Sequence, residues 1–425
     1  MDAADAGSIF LLESGVYRLQ QIEPRDDDTF VGEEGAVLSG ARVLDAFRQE
    51  GTLWVHGGVT AAGEERGRCK TEYPACSLPE DLFVDDELIK RVLSLDEVDE
   101  DTWYLDQDTD ELWLGRDPEG HTVEISVMPF AFDGTGNGIT LEGLVIEKYA
   151  SPAQRGTVVA GGGWTIVNTE IRFNHGQAIR LGPGLTVRDS YLHHNGQFGI
   201  AGGGVGAKIV NNEISHNGIA GFSSFWAAGG TKFLHVNDLV LEGNFVHSNW
   251  GPGLWTDGGG DGTIYENNRL VGNEHAGIKH EISGSAEIVG NHVEGNGFEN
   301  DVDLRGPGIL VRESGPATIS NNKVFGNNDA IVLLHDDDRT NDTGNRLAGI
   351  TVTDNDIALD GGRIAYIGDV SESALGTDIV FEDNRYYGDE DATVFVIEGR
   401  TLDFGSWEEV AHDSDSAILT RDSFP

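Results

Sequence analysis

The chain has 425 residues and sets 73 acidic against 28 basic side chains, a formal net charge of −45. That charge excludes nucleic acid and anionic membranes as partners, and no apolar run reaches the roughly 18 residues that would insert as a helix into a membrane. Apolar residues, 38% of the chain, recur throughout, which excludes a disordered polymer, and 59 glycines suit many tight turns around one thin core.

Met1 is followed directly by Asp-Ala-Ala-Asp, which is no secretory leader. The strand-like Ser8–Leu12 just behind it implies that a leader preceded this start and was removed. Residues 1–50 read as opening coils of a solenoid: "SIFLLESGVYRL", "TFVGEEGAVLSG" and "ARVLDAF" are short strands broken by Gly turns. Residues 51–130 break that rhythm. "DLFVDDELIKRV", "TWYLDQDTDELWLG" and "HTVEISVM" alternate as hairpin strands, so this stretch is expected to be an inserted antiparallel β subdomain. Cys69 and Cys76 lie within it. Two cysteines are too few for a metal site, which leaves a local disulfide of a secreted protein or two free thiols.

Residues 131–385 carry a repeat: an Asn-Gly turn, an apolar triplet, then Asn and a further apolar residue. One column reads Asn168, Asp189, Asn212, Asn244, Asn268, Asn291, Asn322, Asn355, Asn384. A second reads Asn174, Asn195, Asn217, Asn249, Asn273, Asn296, Asn327. Short strands at this spacing mean stacked coils, with residues a full coil apart becoming neighbours about 4.8 Å away. The fold class expected is all-β, a right-handed parallel β-helix with an inserted antiparallel subdomain. The Asn columns read as turn residues that bond to stacked backbone. Residues 386–425 read as a C-terminal cap.

Strand periodicity points Ile179, Ile200, Leu254, Ile278, Ile309 and Ile331 inward. The next outward column then reads Arg180, Ala201, Ser223, Trp255, Lys279, Leu310, Val332, and the one beyond it Gly182, Gly203, Phe225, Asp257, Glu281, Arg312, Leu334. Asp257, Glu281 and Arg312 therefore share one stripe on successive coils, with Trp255 and Lys279 beside them. Two carboxyl groups about 5 Å apart are the arrangement of a retaining glycosidase, one as acid and one as nucleophile. The same pair could instead hold Ca²⁺, or form a Glu–Arg ladder on a solvated face. Three coil-to-coil spacings are long, at "FWAAGGTKFLHVND", "FENDVDLRG" and "HDDDRTNDTGNR", and such insertions form binding faces. They bring Trp226 as a sugar platform and Lys232 as a cation for an acidic polymer. His175 and Arg180 are further candidate substrate contacts. His280 has the parity of an inward residue and reads as a core histidine, and Asp336, Asp337 and Asp338 read as acidic surface. Gly229-Gly230 lacks the spacing of a phosphate loop, and no zinc motif or nucleophile elbow is present.

The repeats resemble those of right-handed parallel β-helix proteins of the pectate-lyase-like superfamily, over about 250 residues. "EKYASPAQRG", "AGGTKF", "GLWTD", "HEIS", the inserted subdomain and the "W…HDSDS" tail resemble secreted β-helix proteins of carbohydrate-active type. The acid-rich composition, with only seven lysines, resembles that of haloarchaeal proteins. The resemblance implies an extracellular or cell-surface protein in high salt that degrades an extended, acidic polysaccharide as a lyase or glycoside hydrolase. A lyase of this kind would use Arg312, Lys279 or Lys232 to take a proton from a uronate neutralised by the cation. The fold also hosts non-catalytic proteins, so a glycan-binding or structural β-helix, such as a cell-surface or virion adhesin, is the alternative.

Overall fold

The computed structural model describes the chain except residues 1–3, 62, 298–305, 336–346, 359–362, 369–374, 389–394, 398 and 414 and the side chain of residue 366. Most of the two later insertions, and Asp336, Asp337 and Asp338, lie outside the described residues. The chain divides into two compact units: Met1–Leu181 with Ser190–Ala201 and Asn217–Ala228, and Gly182–Asp189 with Gly202–His216 and Gly229–Pro425.

In the first unit, opening and later coils stack in parallel. Ile9–Leu12 pairs with Thr29–Gly32, which pairs with Thr140–Glu142. Gly15–Arg18, Ala36–Ser39, Val145–Glu147 and Glu170–Arg172 form a second such stack. Between the opening coils and residue 131 the chain builds an eight-stranded sheet, antiparallel except where Glu87–Arg91 runs parallel to Thr102–Asp106. Its core is separate and includes Leu82, Ile89, Trp103, Leu112, Leu114 and Ile125. The Trp103 indole donates to the Ile89 carbonyl at 3.0 Å, which satisfies its one polar atom. Ala41–Leu44, expected to belong to the solenoid, pairs antiparallel with Val123–Ser126 instead. Its alternation suits either sheet, and the choice is made by a partner some 80 residues on. Buried Lys148 donates to Asp86 and Glu124, tying a solenoid coil to the inserted sheet. Cys69 and Cys76 are joined in a disulfide.

In the second unit the strands stack in three sheets, parallel except where Phe395–Ile397 meets Arg400–Leu402. One contains Gly229–Asn237, Leu254–Asp261, Ile278–Glu281, Pro307–Arg312 and Asp329–Leu334 in neighbouring order. Leu254, Ile278, Ile309 and Ile331 are fully buried, as are Ile179 and Ile200 in the first unit. The strands are short because each coil turns at a buried asparagine. From Asn212 through Asn244, Asn268, Asn291, Asn322 and Asn355 to Asn384, every side-chain amide donates to the next asparagine's Oδ1 at 2.9–3.1 Å. Each also donates to a main-chain carbonyl, as Asn268 does to Leu241 at 2.8 Å, and from Asn244 onward each Oδ1 accepts the backbone N–H of the preceding ladder asparagine, as Asn268 does from Asn244 at 3.0 Å. A second ladder links Asn249, Asn273, Asn296 and Asn327, and Asn174, Asn195 and Asn217 form one in the first unit.

Asn168 and Asp189 do not belong to the first ladder. Both have positive φ, 47° and 52°, and Thr169 and Ser190 occupy the buried place after them, with the Thr169 N–H donating to Ser190 Oγ. The residue before each ladder position is the one that turns left-handed, and Asn211, Asn267 and Asn321 do so as well. Asn tolerates that conformation and also makes the ladder, so one residue type occupies two adjacent roles. Glycine precedes the inward aliphatic for a packing reason: a Cβ on Gly253 or Gly277 would meet an Asn side-chain amide at 3.0 Å. At the C-terminus the helix Phe404–Ala411 is capped by Asp403, which accepts from the Ser406 N–H at 2.8 Å. It buries Trp407 against Phe381 and Phe395. No described helix is long and apolar enough to cross a membrane.

Candidate functional site

The strand register places the residues of the outward stripe. Trp255 pairs with Lys279 and Thr256 with His280 on Leu254–Asp261 and Ile278–Glu281; Lys279 then pairs with Leu310, and Glu281 with Arg312. On the other side of Leu254–Asp261, Phe233 pairs with Thr256 and Leu234 with Asp257, which puts Lys232 beside Trp255. Ser223 and Phe225, expected at that level of the stripe, are not on a strand there. Residues Ser224–Ala227 form one helical turn, and the strand starts again only at Gly229. Gly229 and Gly230 permit the restart: the Gly230 N–H donates to the Pro252 carbonyl at 2.9 Å, and a Cβ on Gly230 would lie 2.5 Å from the Gly253 carbonyl.

The result is a compact cluster of alternating charge in the second unit. Lys232 Nζ lies 2.9 Å from Asp257 Oδ2, and Lys279 Nζ lies 2.5 Å from Glu281 Oε2. Arg312 Nη1 is 3.9 Å from Glu281 Oε1. Trp255 lies between the two ammonium groups, 3.5 Å from Lys232 Nζ and 4.2 Å from Lys279 Nζ to the ring centre. The indole's electron-rich face lets two like charges sit close together. Burial pulls the Lys279 ammonium below the ordinary lysine value, Glu281 opposes that pull, and the charge on Lys232 adds to it. The Asp257 side chain is 19% exposed and that of Glu281 3%. Trp255, expected to offer a face to sugar, is 3% exposed with lysines on its ring, so it acts as a spacer for cations. Its indole nitrogen is buried with no hydrogen-bond partner among the described residues.

Among the described residues, Asp257 and Glu281 alone do not make up the donor set of a calcium ion. Ca²⁺ takes about six to eight oxygens, whereas both carboxylates here already hold a lysine. Among the described residues no group of three or more His, Cys, Asp or Glu side chains is placed to hold a metal.

The remaining candidates lie in the first unit. His175, expected to reach the substrate face, is buried: Nε2 lies 2.9 Å from the Cys76 carbonyl, and Nδ1 3.1 Å from both Asp81 oxygens. Both ring nitrogens face acceptors, so the ring carries both protons. Burial opposes that charge, but Asp81, the Cys76 carbonyl and Glu80 together hold the pKa above the ordinary histidine value. Trp226, expected as a sugar platform, packs its half-buried ring against Phe222 at 6.0 Å, beside Cys76 and Ala228. Arg180 is exposed and donates to the Gln154 carbonyl at 3.0 Å.

His280 is an inward core residue of the second unit. It is fully buried, and Nε2 donates to the Gly284 carbonyl at 3.0 Å while Nδ1 accepts from Thr256 Oγ1 at 2.7 Å. Burial pulls its pKa down to about 4, so it is neutral. Reading the sequence put Lys232 on a loop. The signal that would have placed it is the alternation of "TKFLHV", which matches the phrase "LWTD" one coil later once the helical turn is set aside.

A family model described as a right-handed β-helix region matches residues 155–303. No curated protein matches the chain. Among solved structures, XylC in complex with xylose aligns over all of this chain and 81% of its own, at 16% identity and a TM-score of 0.62. A glycoside hydrolase aligns over 97% of this chain and 88% of its own, at 9% identity and a TM-score of 0.47. The A-module of the mannuronan C-5 epimerase AlgE6 of Azotobacter vinelandii aligns over 97% of this chain and 91% of its own, at 16% identity and a TM-score of 0.44. At such identities likeness speaks for fold, and the last two lie too far off to add to it. Together with the stacked sheets, the comparisons make this chain a right-handed parallel β-helix protein.

Proposed function

We propose that this protein is a secreted polysaccharide-degrading enzyme whose reaction centre is Lys232, Asp257, Lys279, Glu281 and Arg312. The observation that carries the reading is the cluster itself. Two carboxylates and three cations from four neighbouring strands meet on one stripe of the solenoid. Three basic side chains brought together in a chain of net charge −45 suit a glycan bearing uronate groups. The long side of a solenoid suits a linear polymer. The fold-related XylC is described with bound xylose, and the Cys69–Cys76 disulfide suits an oxidising compartment.

The chemistry favoured is glycoside hydrolysis by the carboxylate pair. Asp257 and Glu281 stand on neighbouring strands, about 4.8 Å apart at the backbone, so that their carboxyl groups can approach the separation used for a covalent intermediate. Asp257 and Glu281 divide between them the part of nucleophile and that of acid and base. Lys232 and Arg312 position the carboxylates and bind anionic substituents. Elimination is the second reading, favoured by Lys279: a lysine whose proton affinity burial lowers can serve as the free amine, taking the proton next to a uronate carboxylate while the glycosidic C–O bond beyond it breaks and the departing oxygen takes a proton from water.

Digesting alginate, pectate, glucuronoxylan and neutral xylan in molar salt tests both. New reducing ends without ultraviolet absorbance from an unsaturated sugar mean hydrolysis, and absorbance at the same yield means elimination. Asp257→Asn and Glu281→Gln are each expected to lower kcat by about 10³-fold or more. Glycan binding with no turnover in the wild type would overturn the enzymatic reading in favour of an adhesin.

A further inference from the structure

The inserted sheet of the first unit carries a second concave feature. A cleft of about 500 Å³ is lined by Val43, Asp45, Phe47, Trp54, Glu119 and His121, among others. Phe47 and Trp54 are half-buried: they pack against the core of this sheet and also line the cleft. Val43 is 45% exposed. Behind Phe47 the His56 ring stands edge-on at 5.3 Å, with its Nδ1 buried and unpartnered among the described residues. The rim carries two exposed carboxylates, Asp45 and Glu119, and His121, whose Nδ1 is 2.6 Å from Asp85. Among the described residues no lysine or arginine lines the cleft.

Two aromatic side chains left partly open on so acidic a chain are an exposed apolar surface with a cost in solubility, which points to a ligand. The cleft falls in the size range of small-molecule sites, about 300–1,000 Å³. A stable protein partner would need roughly 800 Å² on each side. Its chemistry is flat apolar faces bordered by acceptors. A pyranose offers the complement, a C–H face that stacks on an aromatic ring and hydroxyl donors around its edge. Asp45 and Glu119 would repel a uronate, and molar salt would screen attraction for a cation while leaving aromatic contact intact. We propose that this cleft is a binding subsite for a neutral glycan segment. Trp54 and Phe47 stack on the sugar rings, and Asp45 and Glu119 accept their hydroxyls.

The proposal concerns binding in the first unit and does not rest on turnover at Asp257 and Glu281. Calorimetric titration of the full chain in molar salt with xylotetraose and cellotetraose as neutral probes, and tetragalacturonate as the anionic one, tests it. At least one neutral probe is expected to bind the wild type, and Trp54→Ala to weaken it on the order of tenfold, the worth of one good aromatic contact. The quantity measured is binding and not turnover, so failure of the hydrolase reading leaves this result untouched. Trp54 also supports the core, so Asp45→Asn with Glu119→Gln, both at exposed positions, provides the second variant. It should weaken neutral binding several-fold without lowering the melting temperature. The proposal is overturned if neither neutral probe binds, if binding is unchanged in both sets of variants, if only Asp257→Asn abolishes it, or if tetragalacturonate depends on Trp54 as strongly.

Discussion

At the scale of single residues, burial decides what each ionisable group can do. His175 and His280 are the same side chain in opposite states. His175 faces a carboxylate and a carbonyl, so it is held as a cation. His280 accepts from one hydroxyl and donates to one carbonyl, so it is held neutral. Their effects on stability have opposite signs. The pKa of His175 is raised above its unfolded value of about 6.5, so its contribution is complete below that pH and is lost as pH rises through the folded value. The pKa of His280 falls to about 4, so its contribution is complete above the unfolded value and is lost as pH falls toward 4. His175→Gln is expected to cost about 2 kcal/mol near pH 6, by leaving Asp81 and the Cys76 carbonyl underpaired. The gap from wild type should narrow on the alkaline side. Melting temperatures of the two proteins across pH check this, and a gap that widens with pH would contradict the imidazolium assignment.

At the scale of elements, the asparagine ladders set the length and direction of each strand. A ladder Asn is satisfied on every side: Asn268 accepts from Asn244 and donates to Leu241 and Asn291. Removing it leaves buried groups of three coils without partners. Asn268→Ala is expected to cost about 3 kcal/mol. Asn267→Ala, at the exposed left-handed position just before it, should cost about 1 kcal/mol from backbone conformation alone. Chemical denaturation of both variants measures the contrast, and equal losses would mean that the ladder bonds are replaced by water. The site depends on the same regularity. Trp255, Lys279 and Glu281 meet their partners because consecutive strands keep one register. A one-residue slip would turn Lys279 and Glu281 inward and bring His280 out.

At the scale of the whole molecule, charge is the dominant fact. With 73 acidic and 28 basic residues, self-repulsion is strong wherever the Debye length exceeds the spacing of surface carboxylates. It is about 3 Å in molar salt and about 30 Å at 0.01 M. Circular dichroism during dialysis from molar to millimolar salt should show loss of the β signal, recovered when salt is restored. Retention of structure at low salt would mean that the ladders and core outweigh the repulsion, and that molar salt is not required for folding.

Period, inward column and Asn-Gly turns were legible in the sequence because they are local: a strand alternates, a turn needs residues that accept positive φ, and stacking repeats both. Sequence by itself therefore determined that this chain is a solenoid, that Leu254, Ile278, Ile309 and Ile331 face inward, and that Asp257, Glu281 and Arg312 share a stripe. Tertiary structure alone decided the rest. Ser223 and Phe225 lost their place to Lys232 because one helical turn delays the strand, and Ala41–Leu44 left the solenoid for a partner near residue 125. His175 was drawn into a buried ion pair by Asp81, 94 positions away. Trp255 was closed off by two lysines from neighbouring coils. Local pattern specifies which way a side chain points; which partner it meets, and in what charge state, is fixed only when distant segments are packed together and water is removed from between them.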